Sequence, residues 1–305
     1  MKLLHSGDKI TDSQDGCVAT IGNFDGVHCG HQALLNRLRQ QADKMNLPMV
    51  VILFEPQPGE YFSREKAPVR LYRLREKINA LQQCGVDYVY CLKFNEQLAN
   101  MSPEAFIETI ILSSVNAKYL LLGDDFKFGR NRSGDLTLLR EFGLKHGFIV
   151  ETYPDHCIDK KRVSSTQIRQ ALQLGQLQQA AELLGRPYSL TGRVVYGQGL
   201  GRQLGFPTAN ISVHRRTLPI NGVFCVQVKR QSALVSGVAN IGTRPTINGR
   251  QLVLEVHLFD FNESLYGERL EVFFLRKLRD EMKFSSLDAL SMQIHADITA
   301  AREYV

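Results

Sequence analysis

The sequence predicts a two-domain α/β protein in which a parallel sheet with helices is followed by an antiparallel β-barrel with a terminal helix. In the first half, short apolar segments alternate with helical patterns, which is typical of a parallel sheet covered on both faces. In the second half, strands are separated by Gly, Asn and Pro turns. The 305 residues also exceed one ordinary core. We expect domains at residues 1–185 and 186–305.

Five buried strands are predicted in the first half, at residues 17–22, 49–54, 88–92, 118–123 and 148–152. Helices are predicted between them at residues 33–44, 74–84, 103–112 and 136–146, where apolar residues recur at spacings of three and four. Ligands of such sheets bind at the carboxyl ends of strands, beside the point where the strand order reverses. The turn at residues 22–31 follows the first predicted strand, so we expect a site there.

A helical pattern from residue 164 to 184 is broken by Gly185 and Pro187. The strands of the predicted barrel then lie at residues 189–196, 223–229, 234–241, 252–259 and 270–275. A closing helix is predicted at residues 286–302, capped by Ser285 or Ser286.

Composition restricts the class of protein. Hydrophobic residues make up 44% and charged residues 22%, which is ordinary globular usage. No apolar run approaches the roughly 20 residues of a membrane span, and the first residues do not develop a signal region, so we expect a cytoplasmic protein without a membrane partner. The six cysteines form no CxxC pair, which indicates thiols in a reducing compartment. The net charge of +6 comes from scattered Lys and Arg, which suits small polyanions such as nucleotides; we expect no nucleic-acid partner, and the oligomeric state stays open.

The 22–31 turn carries the first candidate site. Its glycines, Gly22, Gly26 and Gly30, let backbone approach a ligand, but their spacing matches neither the dinucleotide nor the P-loop fingerprint. His28 and His31 flank Gly30 at the start of a predicted helix, whose free N–H groups suit phosphate. The alternatives are a chance surface pair and a zinc site, which would need further Cys or His ligands.

A second segment, residues 162–169, also favours phosphate. It places the hydroxyls of Ser164, Ser165 and Thr166 at a predicted helix N-terminus, with Arg162 and Arg169 beside them. Helix capping alone would explain the hydroxyls equally well.

Together, residues 22–31, 54–56, 123–129 and 162–169 resemble the HxGH and ISSTxxR motifs of the nucleotidylyltransferase superfamily, in the branch of the FMN adenylyltransferase module of prokaryotic bifunctional FAD synthetases. The resemblance implies a Rossmann-like domain that converts ATP and FMN to FAD and pyrophosphate with magnesium. By resemblance, His28 and His31 are catalytic, and Asp125 contacts FMN or ribose. The ATP-binding residues it implies are Gly22, Asn23, Phe24, Gly26, His28, His31, Arg162, Ser164, Ser165, Thr166 and Arg169.

The second candidate site follows a glycine-rich run between Gly192 and Gly205. Thr208 and Asn210 are neutral oxygen donors at alternate positions, so both can face one side of an extended segment, and magnesium binds such oxygens. A flexible hairpin loop is the alternative. Glu255 lies within an apolar strand pattern, where it is either solvent-facing or functional.

Residues 197–210, 240–246, 255–257 and 265–267 resemble riboflavin kinase. By that resemblance Thr208 and Asn210 hold Mg²⁺, and Glu255 is the base on the riboflavin 5′-hydroxyl. The ATP-binding residues implied for this domain are Gly197, Gly201, Arg202, Gly205, Thr208 and Asn210. Residues 276–281 and Phe284 are candidates for holding the flavin ring. The rival hypotheses are a flavin-binding or regulatory protein without chemistry, and an adenylyltransferase for a nicotinamide or pantetheine acceptor.

Overall fold

The computed structural model describes residues 1–10, 15–63, 65–158, 161–197, 199–215, 217–246 and 249–305. It divides into two compact units, Met1–Ser164 and Ser165–Val305, and each is described by itself. This division follows packing in space, and the domain boundary predicted at residues 185 and 186 remains a prediction. No helix in the described ranges combines the length and the apolar character that crossing a membrane requires.

The first unit is built on a six-stranded parallel sheet in the order β1-β4-β3-β2-β5-β6. Its strands are β1 (Lys2–His5), β2 (Cys17–Ile21), β3 (Met49–Glu55), β4 (Tyr88–Lys93), β5 (Ala117–Gly123) and β6 (Ile149–Tyr153). Its helices are α1 (Cys29–Met45), α2 (Pro58–Phe62), α3 (Leu74–Gln83), α4 (Glu96–Ala99), α5 (Pro103–Phe106) and α6 (Leu136–His146). A π-helix at Ile107–Ser114, a 3₁₀ turn at Arg130–Arg132 and a small hairpin, β7 (Cys157–Ile158) with β8 (Lys161–Arg162), complete it.

Both faces of this sheet are covered. Cys17, Ala19 and Ile21 of β2 contribute to one apolar layer, whereas Val18 contributes to the other, as alternating side chains of a strand require. A strand that is buried on both faces reads as a continuous apolar run, and all five predicted strands are present. Four of them are largely buried, whereas β6 is an edge strand with Ile149 58% exposed, so its predicted burial was wrong. The edge strand β1, with only four residues and mostly exposed side chains, was missed.

The second unit is a closed barrel in the order β10-β13-β12-β11-β14-β9, with antiparallel neighbours. The strands are β9 (Tyr188–Val195), β10 (Ala209–Ser212), β11 (Gly222–Arg230), β12 (Ala233–Thr246), β13 (Gly249–Leu258) and β14 (Arg269–Arg279). The helices are α7 (Ser165–Gln173), α8 (Leu177–Leu184), α9 (Leu200–Gln203) and α10 (Leu287–Arg302). Ser286 caps α10 by accepting a hydrogen bond from the Ala289 N–H at 3.1 Å, which decides between the two predicted caps.

Candidate active sites

The strand order of the first unit reverses at β2. Strands β3, β4 and β1 lie on one side of β2, and β5 lies on the other. The carboxyl ends of β2 and β5 therefore flank the crevice in which doubly wound sheets bind ligands. The 22–31 turn follows β2 and Asp125 follows β5, so the sheet brings both predicted segments to this edge.

The turn after β2 is tightly coiled and partly strained. Phe24, Gly26 and Val27 have φ angles of 47°, 82° and 42°. Only glycine adopts such angles without cost, and a β-branched residue there is an outlier that costs on the order of 1–3 kcal/mol. Val27 is fully buried, and its carbonyl accepts a hydrogen bond from Gln32 Nε2 at 2.8 Å, so packing and α1 hold it in place.

Asp25 anchors this turn from within. Its side chain is 3% exposed, and its two carboxylate oxygens accept hydrogen bonds from the backbone N–H groups of Leu71 and Tyr72, both at 3.0 Å. These contacts tie the turn to the segment that leads into α3. The sequence analysis gave Asp25 no role, because a carboxylate in a glycine-rich turn does not reveal that its partners lie more than 40 residues away.

His28 and His31 form one stacked pair at the start of α1. Their ring centroids lie 3.6 Å apart at an interplanar angle of 20°. His28 is the N-cap of α1, because its Nδ1 accepts a hydrogen bond from the backbone N–H of His31 at 3.4 Å. Since Nδ1 accepts, the proton of the neutral ring is on Nε2, which makes that atom a hydrogen-bond donor. Both rings thus lie at a helix N-terminus suited to an anion.

Gly30 lies between the two histidines with little space around it. A Cβ at this position would lie 3.2 Å from Nδ1 and Cε1 of His28 and 3.4 Å from Cβ of His156. A side chain here would be in tight contact with the His28 ring, so the glycine favours the close packing of the pair.

A cluster of charged side chains lies near the Asp25 anchor. Arg70 donates hydrogen bonds to both carboxylate oxygens of Glu55, at 2.7 and 3.0 Å, and also pairs with Glu60. Burial raises the pKa of Glu60, but the hydrogen bonds and charge of Arg70 outweigh burial and hold that pKa below its usual value. Burial lowers the pKa of the Lys77 ammonium, although the Asp25 charge acts in the opposite direction. A buried cation thus lies near the anchoring carboxylate.

Asp125 and Arg162 are brought together as an ion pair. Arg162 Nη2 lies 3.2 Å from Asp125 Oδ2, and Arg162 Nε lies 3.0 Å from Asp155 Oδ1. All three side chains are exposed, so the pair adds little stability and stays accessible to a ligand.

Ser164 ends the first unit. Ser165, Thr166 and Arg169 open α7, which clusters with the second unit, so their approach to the histidine pair remains a prediction.

The zinc alternative gains no support. Within the described ranges, no three His, Cys, Asp or Glu side chains converge as metal ligands. All six cysteines are free thiols.

In the second unit, three strands align the polar side chains of the second site. The barrel register pairs Asn210 of β10 with Glu255 of β13, and Glu255 with Asn240 of β12. Directly opposite residues of antiparallel strands point to the same face. Asn210, Glu255 and Asn240 therefore form one row, and all three line a cavity of about 320 Å³. Glu255 thus faces a cavity inside the unit, which supports the functional reading over the solvated one.

Thr208 joins this cavity to a second one. The cavity of about 320 Å³, called the larger cavity below, has apolar walls that include Val223, Val238 and Ile294. A smaller cavity of about 220 Å³ is lined by Arg202, Tyr266 and other residues, and Thr208 belongs to both. His257 Nδ1 donates to the Pro207 carbonyl at 2.9 Å, since that oxygen can only accept, and this bond holds the turn that carries Thr208.

Two glycines of the preceding loop make room for these donors. A Cβ on Gly197 would lie 2.2 Å from Asn210 Nδ2, and one on Gly201 would lie 2.5 Å from the Phe206 carbonyl and 3.2 Å from Thr208 Oγ1. Gly205 instead has a φ of +86°, which a residue with a side chain adopts only with strain. The predicted glycine, Thr and Asn residues are therefore neighbours in space.

The residues predicted for the flavin ring divide into two groups. Arg279, Glu281 and Phe284 line the larger cavity, whereas Arg276 lies outside its lining and over the Tyr304 ring, 5.4 Å from the centroid. Asn240 and Asp297 also line the cavity. No role was predicted for either, although Asn240 lies in one of the segments that resemble riboflavin kinase. An acidic residue in the last helix could not be assigned to a barrel cavity without knowing where that helix packs.

Two family models cover nearly the whole chain: FAD synthetase matches residues 10–167, and riboflavin kinase matches residues 184–305. A bifunctional riboflavin kinase/FMN adenylyltransferase of Haemophilus influenzae is 49% identical over 302 residues, covering 99% of this chain and 97% of that protein. The protein of that name from Escherichia coli K12 is 47% identical over 306 residues, covering 100% and 98%.

Among solved structures, a crystal structure titled macrolide-efflux protein, from Streptococcus pneumoniae, is 32% identical with a TM-score of 0.84 and covers 98% of both chains. The shared fold thus extends over both units. Together with the two family models and the full-length relatives, it shows that the chain belongs to the family of bifunctional riboflavin kinase/FMN adenylyltransferases.

Proposed function

We propose that this chain makes FAD from riboflavin in two steps, each at its own site. The second unit phosphorylates riboflavin with ATP to give FMN. The first unit then transfers the adenylyl group of a second ATP to FMN, which yields FAD and pyrophosphate. The observation that carries this proposal is the presence in one chain of a stacked histidine pair at a switch-point helix and of Glu255 in a barrel cavity.

In the kinase step, Glu255 acts on the riboflavin 5′-hydroxyl. The apolar walls of the larger cavity suit the flavin ring, and the smaller cavity suits ATP, so the γ-phosphate would meet the hydroxyl near Thr208, which both cavities share. The hydroxyl oxygen forms its bond to the γ-phosphorus as the bond to ADP breaks. Glu255 orients the hydroxyl and accepts its proton. General-base catalysis of this kind accelerates a reaction by roughly 10²–10⁴-fold.

Thr208 and Asn210 fit a magnesium ion. Both offer neutral oxygens, and Gly197 lets the preceding loop pack closely against Asn210, because a Cβ there would lie 2.2 Å from Asn210 Nδ2. Magnesium binds a few protein oxygens together with phosphates and retained waters, so two neutral donors suffice. When bound, the ion would neutralise charge on the ATP phosphates, and the two residues would hold it in place.

In the adenylyl step, the protein mainly positions charges. An FMN phosphate oxygen attacks the α-phosphorus, and the bond to pyrophosphate breaks without any net proton transfer. His28, through Nε2–H, and His31 would donate to the ATP phosphates at the N-terminus of α1, with Gly22, Asn23, Phe24 and Gly26 shaping the turn. Ser164, Ser165, Thr166, Arg162 and Arg169 would hold the pyrophosphate end, and Asp125 would contact ribose or FMN.

An exposed aromatic cluster at the same sheet edge suits the flavin of FMN. Phe62 is 68% exposed, and its ring centroid lies 5.3 Å from that of Tyr61 and 5.7 Å from that of Phe94. Phe94 directly follows the carboxyl end of β4. Planar rings stack favourably on such surfaces, so we assign the isoalloxazine ring of FMN to this cluster.

The test is incubation of the purified protein with riboflavin, ATP and Mg²⁺, with flavins separated by chromatography. We expect FMN to form first and FAD to follow. A flavin-binding or regulatory protein would make neither product. An adenylyltransferase for another acceptor would consume nicotinamide mononucleotide or phosphopantetheine with ATP and leave FMN unchanged.

The free state of all six cysteines supports a reducing compartment, and we assign the enzyme to the cytoplasm.

A further inference from the structure

One wall of the larger cavity is a segment without regular secondary structure. Residues 280–286 connect β14 to α10, and Glu281, Met282 and Phe284 from this segment line the cavity. Most of their side chains are exposed, so the segment has little apolar burial to hold it in place. An ion pair of Lys277 with Asp280 at 2.5 Å lies at one end of the segment, and further polar contacts hold it to the rest of the unit.

Those contacts converge on Arg279, the last residue of β14. Its Nε lies 3.0 and 3.1 Å from the two carboxylate oxygens of Asp297, and its Nη2 lies 2.8 Å from Asp297 Oδ2. Asp297 is on α10, is 5% exposed and also accepts a hydrogen bond from Gln293 Nε2 at 3.0 Å. Asp297 is therefore a buried carboxylate that Arg279, whose side chain is 17% exposed, contacts through two nitrogens, and such bidentate contact is the geometry in which an ion pair fixes position.

The same guanidinium also holds the wall itself. Arg279 Nη1 donates to the carbonyl of Asp280 at 3.0 Å, and the guanidinium carbon lies 5.7 Å from the centroid of the Phe284 ring. One side chain thus connects α10, the backbone at the start of the segment and the aromatic ring near its end. Loss of one partner would leave a buried charge uncompensated and release the wall.

We propose that Arg279 and Asp297 are positioning residues that set the affinity of the kinase site for riboflavin by fixing the wall formed by residues 280–284. This inference rests on the proposed assignment of the larger cavity to riboflavin. Because Glu255 is carried by β13 and not by the 280–284 segment, loosening the wall weakens binding and leaves the proton transfer intact. The effect falls on KM and not on kcat.

The barrel offers a matched control. Arg302 pairs with Asp260 through Nη1 at 3.0 Å and Nη2 at 2.8 Å, and its guanidinium lies over the Phe259 ring, 4.6 Å from the centroid. This pair has the same chemistry, joins α10 to the end of β13 and lies outside the lining of the cavity. Both of its side chains are exposed, so it controls for the loss of an Arg–Asp ion pair on α10, and thermal unfolding of the cavity-pair variants measures their loss of barrel stability.

The experiment compares Arg279→Lys and Asp297→Asn with Arg302→Lys and Asp260→Asn in the full chain. The riboflavin Kd is measured by quenching of flavin fluorescence, KM and kcat by FMN formation, and thermal unfolding by circular dichroism. For the cavity pair we expect the Kd and KM of riboflavin to rise by about tenfold or more with kcat within about threefold. The Arg302→Lys and Asp260→Asn variants should leave the Kd, KM and kcat for riboflavin unchanged. FAD formation from supplied FMN should be unaffected in all four variants. Arg279→Lys keeps the charge, so it tests the wall even if Asp297→Asn unfolds the barrel.

Unchanged riboflavin affinity in a folded Arg279→Lys variant would overturn the inference, as would a fall in kcat at constant KM or an equal effect of the control pair. Val238→Phe, which fills the cavity, distinguishes this failure from failure of the site assignment. If Val238→Phe abolishes riboflavin binding while the Arg279 and Asp297 variants bind normally, only the positioning role is wrong. If a folded Val238→Phe variant binds riboflavin normally, the cavity is not the riboflavin site and both proposals fail.

Discussion

The two units shape their proposed phosphate-binding segments by opposite means. In the first unit the 22–31 turn is buried, with Asp25 3% and His28 7% exposed, and hydrogen bonds from two distant backbone groups hold it. In the second unit the segment before Thr208 depends on glycines, and Gly199 and Gly205 are exposed with positive φ angles and no neighbouring atoms within reach of a Cβ.

The two segments differ in when they lose conformational entropy, on folding in the first unit and on ligand binding in the second. A buried and anchored turn presents its donors in place before ATP arrives, which favours electrostatic stabilisation of the leaving group. A glycine-rich loop loses conformational entropy when the ligand orders it, which permits closure over the nucleotide. Substitutions in the 22–31 turn should therefore act through stability as well as catalysis, and those in the glycine-rich loop through ligand affinity.

The largest expected effect is that of Glu255→Gln, because it removes the proposed proton acceptor. FMN formation from riboflavin should fall by roughly 10²–10⁴ while FAD formation from supplied FMN persists. Both rates are measured by chromatography of the flavins. Glu271→Gln is the matched control, since Glu271 is also in a barrel strand, accepts a hydrogen bond from Ser189 Oγ at 2.8 Å and lines neither cavity. Full kinase turnover in Glu255→Gln would remove Glu255 from the mechanism.

His31→Ala should have the reverse pattern. Loss of one donor to the phosphates is expected to lower FAD formation by roughly 10²–10³, and FMN formation should stay nearly intact. His146→Ala, an exposed histidine stacked on Phe142 in the same unit, serves as control. Equal loss of both activities in His31→Ala would contradict the assignment of one activity to each unit.

Asp25→Asn tests the anchor. An amide keeps one acceptor oxygen, so one of the two backbone N–H groups of Leu71 and Tyr72 loses its partner in a buried place. We expect the first unit to lose about 1–3 kcal/mol of unfolding free energy, with a parallel loss of FAD formation. The free energy of unfolding is measured by denaturant titration. The variant Asp43→Asn, at an exposed position of the same unit, serves for comparison. A variant as stable as the parent would show that the turn does not depend on Asp25.

Local patterns in the sequence were sufficient for most of the fold. Buried parallel strands read as apolar runs, and α6 was predicted with its observed ends. The short strand β10 was missed because its sequence, Ala-Asn-Ile-Ser, has no strand-like pattern. The segment at residues 103–112 was predicted as one helix but continues from α5 into a π-helix, a change of hydrogen bonding that periodicity does not reveal.

The candidate sites were predictable where their residues are close in sequence. His28 and His31 are three residues apart, and Thr208 and Asn210 are two apart, so motif spacing nominated them, and their binding roles remain predictions. Asp25, Asn240 and Asp297 depend on partners in distant segments, and a single sequence does not show which segments meet. Residues that share a local motif were therefore easier to nominate than residues whose partners lie far away in sequence.

The smallest effect should come from Gly205→Ala, which isolates the backbone freedom of the kinase loop. Gly205 has a φ of +86° and open space around its missing Cβ, so an alanine costs only the strained backbone, about 1 kcal/mol. Gly147 at the end of α6 has a φ of +76° and equally open space, so Gly147→Ala carries the same backbone cost in the other unit. Only Gly205→Ala should raise the KM for ATP of the kinase step, by a few-fold, because the alanine disfavours the loop geometry beside Thr208. If steady-state kinetics gave the two variants the same KM for ATP, the glycines would serve loop folding alone, and the contrast between an anchored turn and a ligand-ordered loop would be wrong.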